Sequence, residues 1–425
     1  MLMKGRSEFT VQGRRTSKTP LIIGLVVMAM LSGVLTFLFL NGQETRITIS
    51  QPKKSAVIEK VYHGKAPNCP EKYCVSITVN GDLLFHPALW NNFRTGDERE
   101  FDFTPLFAAQ SQYYAKSDIV VCDVETPIAK PGGPYAGYPI FNIPPQVLDA
   151  AKEVGYTACT TDTNHAWDQG VAGIERVIDK LDELGIKHTG TYKTEAESKE
   201  PLILNVEGGK LAIIGGTVSL NGMIADYDWR VDRLRDGDMA EHDYARMISL
   251  AKKAREQGAD LVVAQLHSMQ EYITYADGWQ KTAAHRLIDS GEFDLVYFHG
   301  SHSVQPFELY NGVYIIYGLG NSQTVSAPQV RYVNNQGLTV RVQFASNDQR
   351  EWRVAKVSYL PTLNKTGAKY AWCPLTADRP SGFCVSEVTD NQMYTRMENI
   401  MFSMGLNKDD PIIQPWLISE ENLQN

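Results

Sequence analysis

The sequence lacks a long basic run after its N-terminus, and it lacks a Cys-x-x-Cys motif. The sequence has 425 residues. After residue 19 it contains no Lys/Arg-rich run and no basic stretch with interleaved aromatic residues. A nucleic-acid partner is therefore not expected, because binding a phosphate backbone requires such a positive surface. The six cysteines form no Cys-x-x-Cys and have no flanking histidine, which argues against a thiolate zinc site.

Negative charge dominates most of the chain. The formal net charge is −8, and residues 1–19 contribute five basic residues and one acidic residue, a local charge of +4. The remainder therefore carries −8 − 4 = −12. With 43% hydrophobic residues, the chain can bury a substantial core in one large domain or two ordinary ones.

The run from Leu21 to Leu40 contains no charged residue. As a helix it would be about 30 Å long, enough to cross a membrane. The basic residues before it predict a cytoplasmic N-terminus, with the rest of the chain outside. A cleaved signal peptide is the alternative, but the run ends in Phe39-Leu40-Asn41-Gly42 without an A-x-A-like site or a lipobox cysteine. A buried soluble helix is the remaining alternative.

Two cysteine pairs fit an oxidising location outside the cytoplasm. Cys69 and Cys74 bracket one short loop, and Cys373 and Cys384 bracket another, so local disulfides are geometrically easy. Free thiols are the alternative, because pairing cannot be deduced from sequence. The other two cysteines lie in apolar, strand-like runs and are predicted to be ordinary core residues: Cys122 and Cys159.

The predicted organisation has five parts. Residues 1–20 are a basic cytoplasmic tail, 21–40 the anchor, 41–73 a polar extracytoplasmic stalk, 74–360 an α/β domain and 361–425 an extension without an assigned role. Within the domain, short apolar runs alternate with helical patterns such as Gly170–Leu184 and Met239–Gln257.

Polar residues with metal-binding or acid-base chemistry follow the apolar strands of this domain. Because ligands bind at the carboxyl ends of strands that are joined by helices, we expect these residues to converge at one sheet edge. They are Asp82, Asp123, Glu125, Asn164, His165, His267, His299 and His302. Carboxylate, amide and imidazole groups without thiolates suit one or two divalent ions: Mn, Zn, Fe or Mg. Each residue alone is more often a turn, a cap or a structural group, but eight at strand ends indicate a site.

Six segments resemble, in order, the motifs of the poly-gamma-glutamate capsule biosynthesis (CapA) family. The resemblance covers about residues 75–322. The segments are Val79-Asn80-Gly81-Asp82, Asp123-Val124-Glu125-Thr126-Pro127, Thr163-Asn164-His165-Ala166-Trp167-Asp168-Gln169-Gly170, His267-Ser268-Met269-Gln270-Glu271-Tyr272, Gly300-Ser301-His302-Ser303-Val304-Gln305-Pro306-Phe307-Glu308 and Tyr317-Gly318-Leu319-Gly320-Asn321.

The resemblance implies an α/β fold, specifically a calcineurin-like metallophosphatase four-layer α/β/β/α sandwich, at the bacterial cell surface. Its motifs assign the metal ligands by position to Asp82, Glu125, Asn164, His267 and His302. They also make His165 the acid near a leaving group, with Asp168 as its orienting partner.

The sequence departs from the family pattern where a His-Pro-His motif begins, because Gly300 stands in place of the first histidine and cannot bind a metal. Two alternatives remain for His299, one residue earlier: it substitutes as a ligand, or strand alternation turns it away. Asp123 replaces a family asparagine and is a further candidate ligand. His86 is either a supplementary ligand or a helix-start residue before Pro87.

Two functions follow from these expectations. The first is an assembly subunit that works with other membrane-bound synthase or export subunits and binds an anionic polymer such as poly-gamma-glutamate. The second is an extracytoplasmic metal-dependent hydrolase that acts on phosphoesters or on a cell-surface polymer.

Overall fold

Two mixed β-sheets form the centre of the part of the chain that the computed structural model describes: residues 69–96, 101–325, 331–367, 370–375 and 385–417. These residues belong to one compact unit, Ile58–Asn425. The predicted tail and anchor, and the stalk up to residue 68, lie outside the described residues. Within the described ranges, no helix has both the length and the hydropathy needed to cross a membrane.

The strands and helices alternate along the chain, as the sequence predicts. The strands are β1 (Tyr73–Leu84), β2 (Ile119–Asp123), β3 (Ala158–Thr160), β4 (Lys187–Thr189), β5 (Leu202–Val206), β6 (Gly209–Thr217), β7 (Leu261–His267), β8 (Leu295–His299), β9 (Phe307–Tyr310), β10 (Val313–Ile316), β11 (Asn321–Thr324), β12 (Gln336–Ser346), β13 (Trp352–Lys365), β14 (Ala371–Pro374) and β15 (Ile413–Pro415). The helices are α1 (Pro87–Trp90), α2 (Thr104–Phe107), α3 (Ser111–Tyr114), α4 (Gln146–Val154), α5 (Gly170–Leu184), α6 (Ala240–Glu256), α7 (Gly278–Asp289), α8 (Arg331–Asn334) and α9 (Glu387–Met401).

The larger sheet has the strand order β14-β13-β12-β1-β2-β3-β4, with β11 paired to β1 and β15 paired to β13. Strands β1 to β4 run parallel to one another. The smaller sheet has the order β5-β6-β7-β8-β10-β9, and β6, β7, β8 and β10 are parallel. Each sheet therefore contains a parallel block whose strands end at a common edge.

The two sheets pack face to face, with helices on both outer faces. Side chains of successive residues in β2 point to opposite faces of the sheet. Val121 packs in the core between the sheets, whereas Val120 packs toward α2 to α5. In β7, Val263 lies between the sheets and Val262 packs toward α6 and α7. The predicted α/β/β/α layer order is therefore confirmed.

The C-terminal region contributes strands to the larger sheet of the domain. The predicted boundary between residues 360 and 361 is wrong, because it falls inside β13, which pairs along its length with β12. Strands β14 and β15 extend this sheet, and Met397 and Met401 of α9 pack into the core between the sheets.

The cysteines differ partly from the sequence expectation. Cys69 and Cys74 form the predicted local disulfide. Cys373 is also disulfide-bonded, whereas Cys384 lies outside the described residues. The prediction that Cys122 and Cys159 are ordinary core thiols is wrong. They stand opposite each other on the adjacent strands β2 and β3 and form a disulfide.

Gly81 allows β11 to approach β1 closely, just before the candidate ligand Asp82. A Cβ atom at Gly81 would lie 2.3 Å from the carbonyl oxygen of Gly320. The Asp82 backbone N–H donates a hydrogen bond to that same oxygen at 3.0 Å. The close approach therefore fixes the backbone that carries the Asp82 side chain.

Gly81→Ala is expected to lower the free energy of unfolding by about 1–3 kcal/mol, because the added methyl group overlaps the β11 backbone. Thermal unfolding of the full-length protein, followed by circular dichroism, measures the change. Gly278→Ala is the matched control. Its Cβ meets nothing within 4 Å among the described residues, so a change below about 0.5 kcal/mol is expected. Equal melting temperatures for the two variants would contradict the close approach.

Candidate metal centre

The parallel strands of both sheets bring four candidate ligands to one edge. Asp82 of β1 lies opposite Asp123 of β2 in the larger sheet, and His267 of β7 lies opposite His299 of β8 in the smaller sheet. The two pairs meet across the gap between the sheets, where His299 Nδ1 lies 2.6 Å from Asp82 Oδ1. The convergence expected at the carboxyl ends of parallel strands is therefore present.

Side-chain alternation explains why the histidines project into this gap. In β8, Tyr297 packs in the core between the sheets and Phe298 packs toward the helices. His299 lies two residues beyond Tyr297 and therefore faces the larger sheet. Of the two alternatives for His299, the one in which it turns away is wrong.

Two overlapping groups of buried side chains could each hold an ion. One consists of Asp82, Asp123 and His299, and the other of Asp82, Glu125 and His302. Within each group, one ligand atom from every residue lies within 4.8 Å of the others. Asp82 is common to both groups, since its Oδ2 lies 2.9 Å from His302 Nδ1 while Oδ1 faces His299.

Several polar atoms of the centre have no hydrogen-bond partner among the described residues. They are Asp123 Oδ2, both carboxylate oxygens of Glu125, and His267 Nδ1. All three side chains are 0% exposed. Buried carboxylate oxygens are costly to leave unpaired, and a cation satisfies them. The residues present therefore fit a divalent ion.

The pKa shifts of the side chains in the centre, without a bound cation, also indicate that the centre requires positive charge. Burial would raise the pKa of Asp82, but hydrogen bonds from His299 and His302 outweigh it and hold that pKa below its usual range. Burial acts to lower the pKa of His302, yet Glu125 and Asp82 raise it to about 10. Burial raises the pKa of Glu125 well above its usual range. Protons on imidazoles and carboxyls thus supply the charge that a cation would replace.

The predicted ligands Asn164 and His267 lie beside these groups. Asn164 Oδ1 is 3.0 Å from His267 Nε2. His267 Nδ1 is 3.5 Å from Asp123 Oδ2, which lacks a hydrogen-bond partner among the described residues. The two residues thus form a wall of the centre next to Asp123.

His165 and Asp168 form the hydrogen-bonded pair that the family motif implies. His165 Nδ1 lies 2.8 Å from Asp168 Oδ2, and that oxygen also accepts from the Phe141 backbone N–H at 2.7 Å. The Phe141 ring packs edge-on against the imidazole. These contacts hold the His165 ring in one orientation, with Nδ1 toward Asp168.

Gly300 is required by the packing around His267. Its φ is +82°, and a Cβ there would lie 2.3 Å from the Ser268 carbonyl oxygen and 2.8 Å from His267 Nε2. A histidine at this position therefore cannot be accommodated without moving His267. His299 occupies the gap instead, which accounts for the departure from the family pattern.

A cavity of about 1030 Å³ opens beside the centre, and Asn164 and His165 form part of its wall. His86 also lines the cavity and is absent from both ligand groups. It occupies the N-cap position of α1 before Pro87, as one of its two predicted roles requires, although its side chain makes no capping hydrogen bond. Burial, followed by repulsion from His302 and His165, lowers the pKa of His86 to about 4.

Two asparagines in the site received no role from the sequence. The Asn321 Oδ1 atom accepts a hydrogen bond from His302 Nδ1 at 3.1 Å, and the Asn321 amide nitrogen donates to the Asn334 carbonyl oxygen. The sequence signal that could have identified Asn321 is its position at the end of a segment that resembles a family motif. Asn221 contacts the His165 ring and accepts from Asn164 at 3.4 Å. It lies in a loop outside the motifs, so no sequence signal identified it.

The fold and this site define an α/β protein with a buried carboxylate–imidazole centre suited to cations. The family model described as "Bacterial capsule synthesis protein PGA_cap" matches residues 76–324, more than half of the chain. The chain belongs to this family, and the predicted family resemblance is confirmed.

Three similar proteins carry related descriptions. A "Capsule biosynthesis protein CapA" of Bacillus anthracis is 29% identical over 177 residues, which is 41% of this chain and 42% of that protein. A "PGA biosynthesis protein CapA" of Bacillus subtilis is 31% identical over 224 residues, 51% of this chain and 57% of that protein. A "Probable polyglutamine synthesis accessory protein" of Mycobacterium tuberculosis is 26% identical over 211 residues, 48% and 55% of the two chains. The chain spans about half the length of the curated relatives it matches.

Among solved structures, the calcineurin-like phosphoesterase YfkN from Bacillus subtilis is similar with a TM-score of 0.43 and 14% identity. The similarity covers 77% of this chain and 99% of that chain. A similarity of this size adds nothing to the family assignment.

Asp82→Asn is expected to weaken Mn²⁺ binding by more than about 100-fold, because Asp82 belongs to both ligand groups. Isothermal titration of the full-length protein in detergent, with bound metal checked by mass spectrometry, measures the affinity. Glu175→Gln, an exposed change on α5, is the matched control and should leave the affinity unchanged. Equal Mn²⁺ affinity for Asp82→Asn and the wild type would rule out the centre described.

Gly300→His introduces the histidine of the family motif, yet it is expected to lower both the melting temperature and the bound metal. The reason is the overlap of any Cβ with Ser268 and His267 at a positive φ. Differential scanning fluorimetry with and without Mn²⁺ provides the measurement. Tighter metal binding by this variant would show that position 300 has room for a ligand.

Proposed function

We propose that this chain is a membrane-anchored, extracytoplasmic subunit of capsule polymer synthesis or export, acting on poly-gamma-glutamate or a similar anionic polymer. Its domain binds one or two divalent cations (Mn, Zn, Fe or Mg) at the centre described above. The family and the descriptions of its relatives support the role in capsule synthesis. The uncharged run 21–40 after a basic tail supports anchoring through one helix, with the N-terminus in the cytoplasm.

The observation that carries the cation proposal is the buried cluster around Asp82. Asp82, Asp123 and Glu125 are each 0% exposed, and oxygens of Asp123 and Glu125 have no hydrogen-bond partner among the described residues. Three buried carboxylates repel one another unless protons or cations compensate them. A site that needs positive charge, on a chain outside the reducing cytoplasm, fits a resident divalent ion.

The roles of the residues follow from their positions. Asp82, Asp123, Glu125, His299 and His302 would hold the ion or ions, with Asn164 and His267 beside them. When bound, a divalent cation supplies positive charge that attracts polymer carboxylates or phosphoryl oxygens. Since the chain without its first 19 residues carries a charge of −12, such a cation offsets repulsion of an acidic polymer.

The proposed partners are other membrane-bound synthase or export subunits and the polymer itself. The Mycobacterium tuberculosis relative is described as an accessory protein of polymer synthesis, which supports action beside a separate synthase. The long basic run that a nucleic-acid partner would require is absent from the sequence after residue 19.

A second candidate is a metal-dependent hydrolase of phosphoesters or of the polymer. The observation that favours it is the combination of two ligand groups that share one carboxylate with a nearby His165–Asp168 pair. Ions held by these two groups would supply the Lewis acidity that activates water, and the His165 imidazole, oriented by Asp168, would donate a proton from Nε2 to a leaving oxygen.

Polymer production in cells distinguishes the two candidates. In the assembly role, Asp82→Asn is expected to abolish surface polymer, whereas His165→Ala leaves polymer largely intact, because His165 is outside both ligand groups. The measurement is the amount of secreted polymer in cells whose only copy of the gene carries each change. Immunoblots confirm equal protein levels, and Glu175→Gln is the control.

The same full-length variants are assayed with generic phosphomonoester and phosphodiester substrates in Mn²⁺. The assembly role predicts no turnover above background. Turnover in the wild type that His165→Ala removes, together with loss of polymer in His165→Ala cells, would replace the assembly role by the hydrolase.

A further inference from the structure

The cavity beside the metal centre has an unusual charge distribution in its wall. Among the described residues that line it, none is Lys or Arg, and Glu271 is the only carboxylate. Glu271 is half-buried and forms no ion pair with a Lys or Arg of the described residues. A cavity that received only anions would gain nothing from this carboxylate, because like charges repel.

Tyr272 stands next to Glu271 in a strained backbone conformation. Its φ is +63°, a value that costs energy for a tyrosine and occurs mainly where the surroundings impose it. The Tyr272 backbone N–H donates to the Ser301 carbonyl oxygen at 2.8 Å, and its ring lies 5.9 Å from the His302 ring. The loop thus holds the Tyr272 side chain at the cavity, close to the metal centre.

Tyr138 is a second tyrosine that lines the cavity together with Glu271 and Tyr272. It is 77% exposed although it is a large aromatic residue, and it lines the same cavity. Burial and then Glu271 raise the pKa of Tyr272, and Tyr138 contributes in the same direction. All three side chains therefore line one cavity, and Tyr272 stays a neutral phenol.

A carboxylate next to two aromatic rings is a typical recognition site for an ammonium group. The carboxylate supplies opposite charge and accepts hydrogen bonds, while the negative faces of aromatic rings attract a cation. A ligand that also fits the metal centre needs an anionic group a short distance away. The chemistry therefore selects a molecule that carries both a carboxylate and a free amine.

We propose that Glu271, Tyr272 and Tyr138 form a subsite for the free amino end of a peptide polymer whose carboxylate occupies the metal centre. This inference rests on the proposed function, since it takes the polymer to be the ligand. In a gamma-linked glutamate chain, every residue keeps a free carboxylate, but only the first residue keeps a free amine. The site therefore recognises the amino end of the polymer rather than its interior.

The test compares two short gamma-linked glutamate oligomers that differ only in acetylation of the amino end. Full-length protein in detergent is titrated with each oligomer in the presence of Mn²⁺. The free-amine oligomer is expected to bind about tenfold more tightly, the size of an ammonium–carboxylate and cation–π contribution. Glu271→Gln is expected to remove this preference, whereas Glu256→Gln, an exposed change on α6, keeps it.

The outcomes separate the inference from the proposed function. If both oligomers bind wild type equally, the amino-end subsite is refuted while polymer binding stands. If neither binds, the proposed polymer role fails, and the subsite fails with it. A tenfold preference that persists in Glu271→Gln, with normal Mn²⁺ content and melting temperature, would assign the selectivity to other residues and overturn the inference.

Discussion

The structure of the site depends on one buried carboxylate, that of Asp82, held between His299 and His302. Its two oxygens contact different histidines, at 2.6 Å and 2.9 Å, so Asp82 links the two ligand groups and the two sheets. β1 lies at the centre of the larger sheet, and the close approach of β11 at Gly81 fixes the C-terminal end of β1. The remaining candidate ligands are arranged around this side chain.

The cluster around Asp82 is buried, and its negative charges therefore need compensation. Ionised carboxylates in a protein interior are stable only when they are paired, hydrogen-bonded or bound to metal. In the protein alone, His299 and His302 contact Asp82. His302 Nε2 also lies 3.4 Å from Glu125 Oε1, but neither oxygen of Glu125 has a hydrogen-bond partner among the described residues. A fold that maintained this arrangement only for stability would do better with apolar side chains.

Much of the fold and the centre followed from local patterns in the sequence. The helix predicted over Gly170–Leu184 has those bounds, and the one predicted over Met239–Gln257 runs from Ala240 to Glu256. The convergence of strand-end residues was predictable because parallel strands joined by helices share one functional edge. The orientation of His299 was not, since alternation shows which residues share a face and not which face meets the second sheet.

Other features depend on contacts distant in sequence. The Cys122–Cys159 disulfide requires the register of β2 and β3, and the position of β13 across the predicted domain boundary requires its pairing with β12. Asn221 reaches His165 from a loop 56 residues away. The need for Gly300 is visible only when His267 and Ser268 are in place.

The most direct test of the cation-binding account is anomalous X-ray diffraction from crystals of the protein grown with Mn²⁺ or Zn²⁺. The account predicts anomalous density between the sheets, in contact with Asp82 and with at least one of Glu125, Asp123, His299 or His302. Crystals that contain the metal elsewhere but show no anomalous density at Asp82 would contradict it.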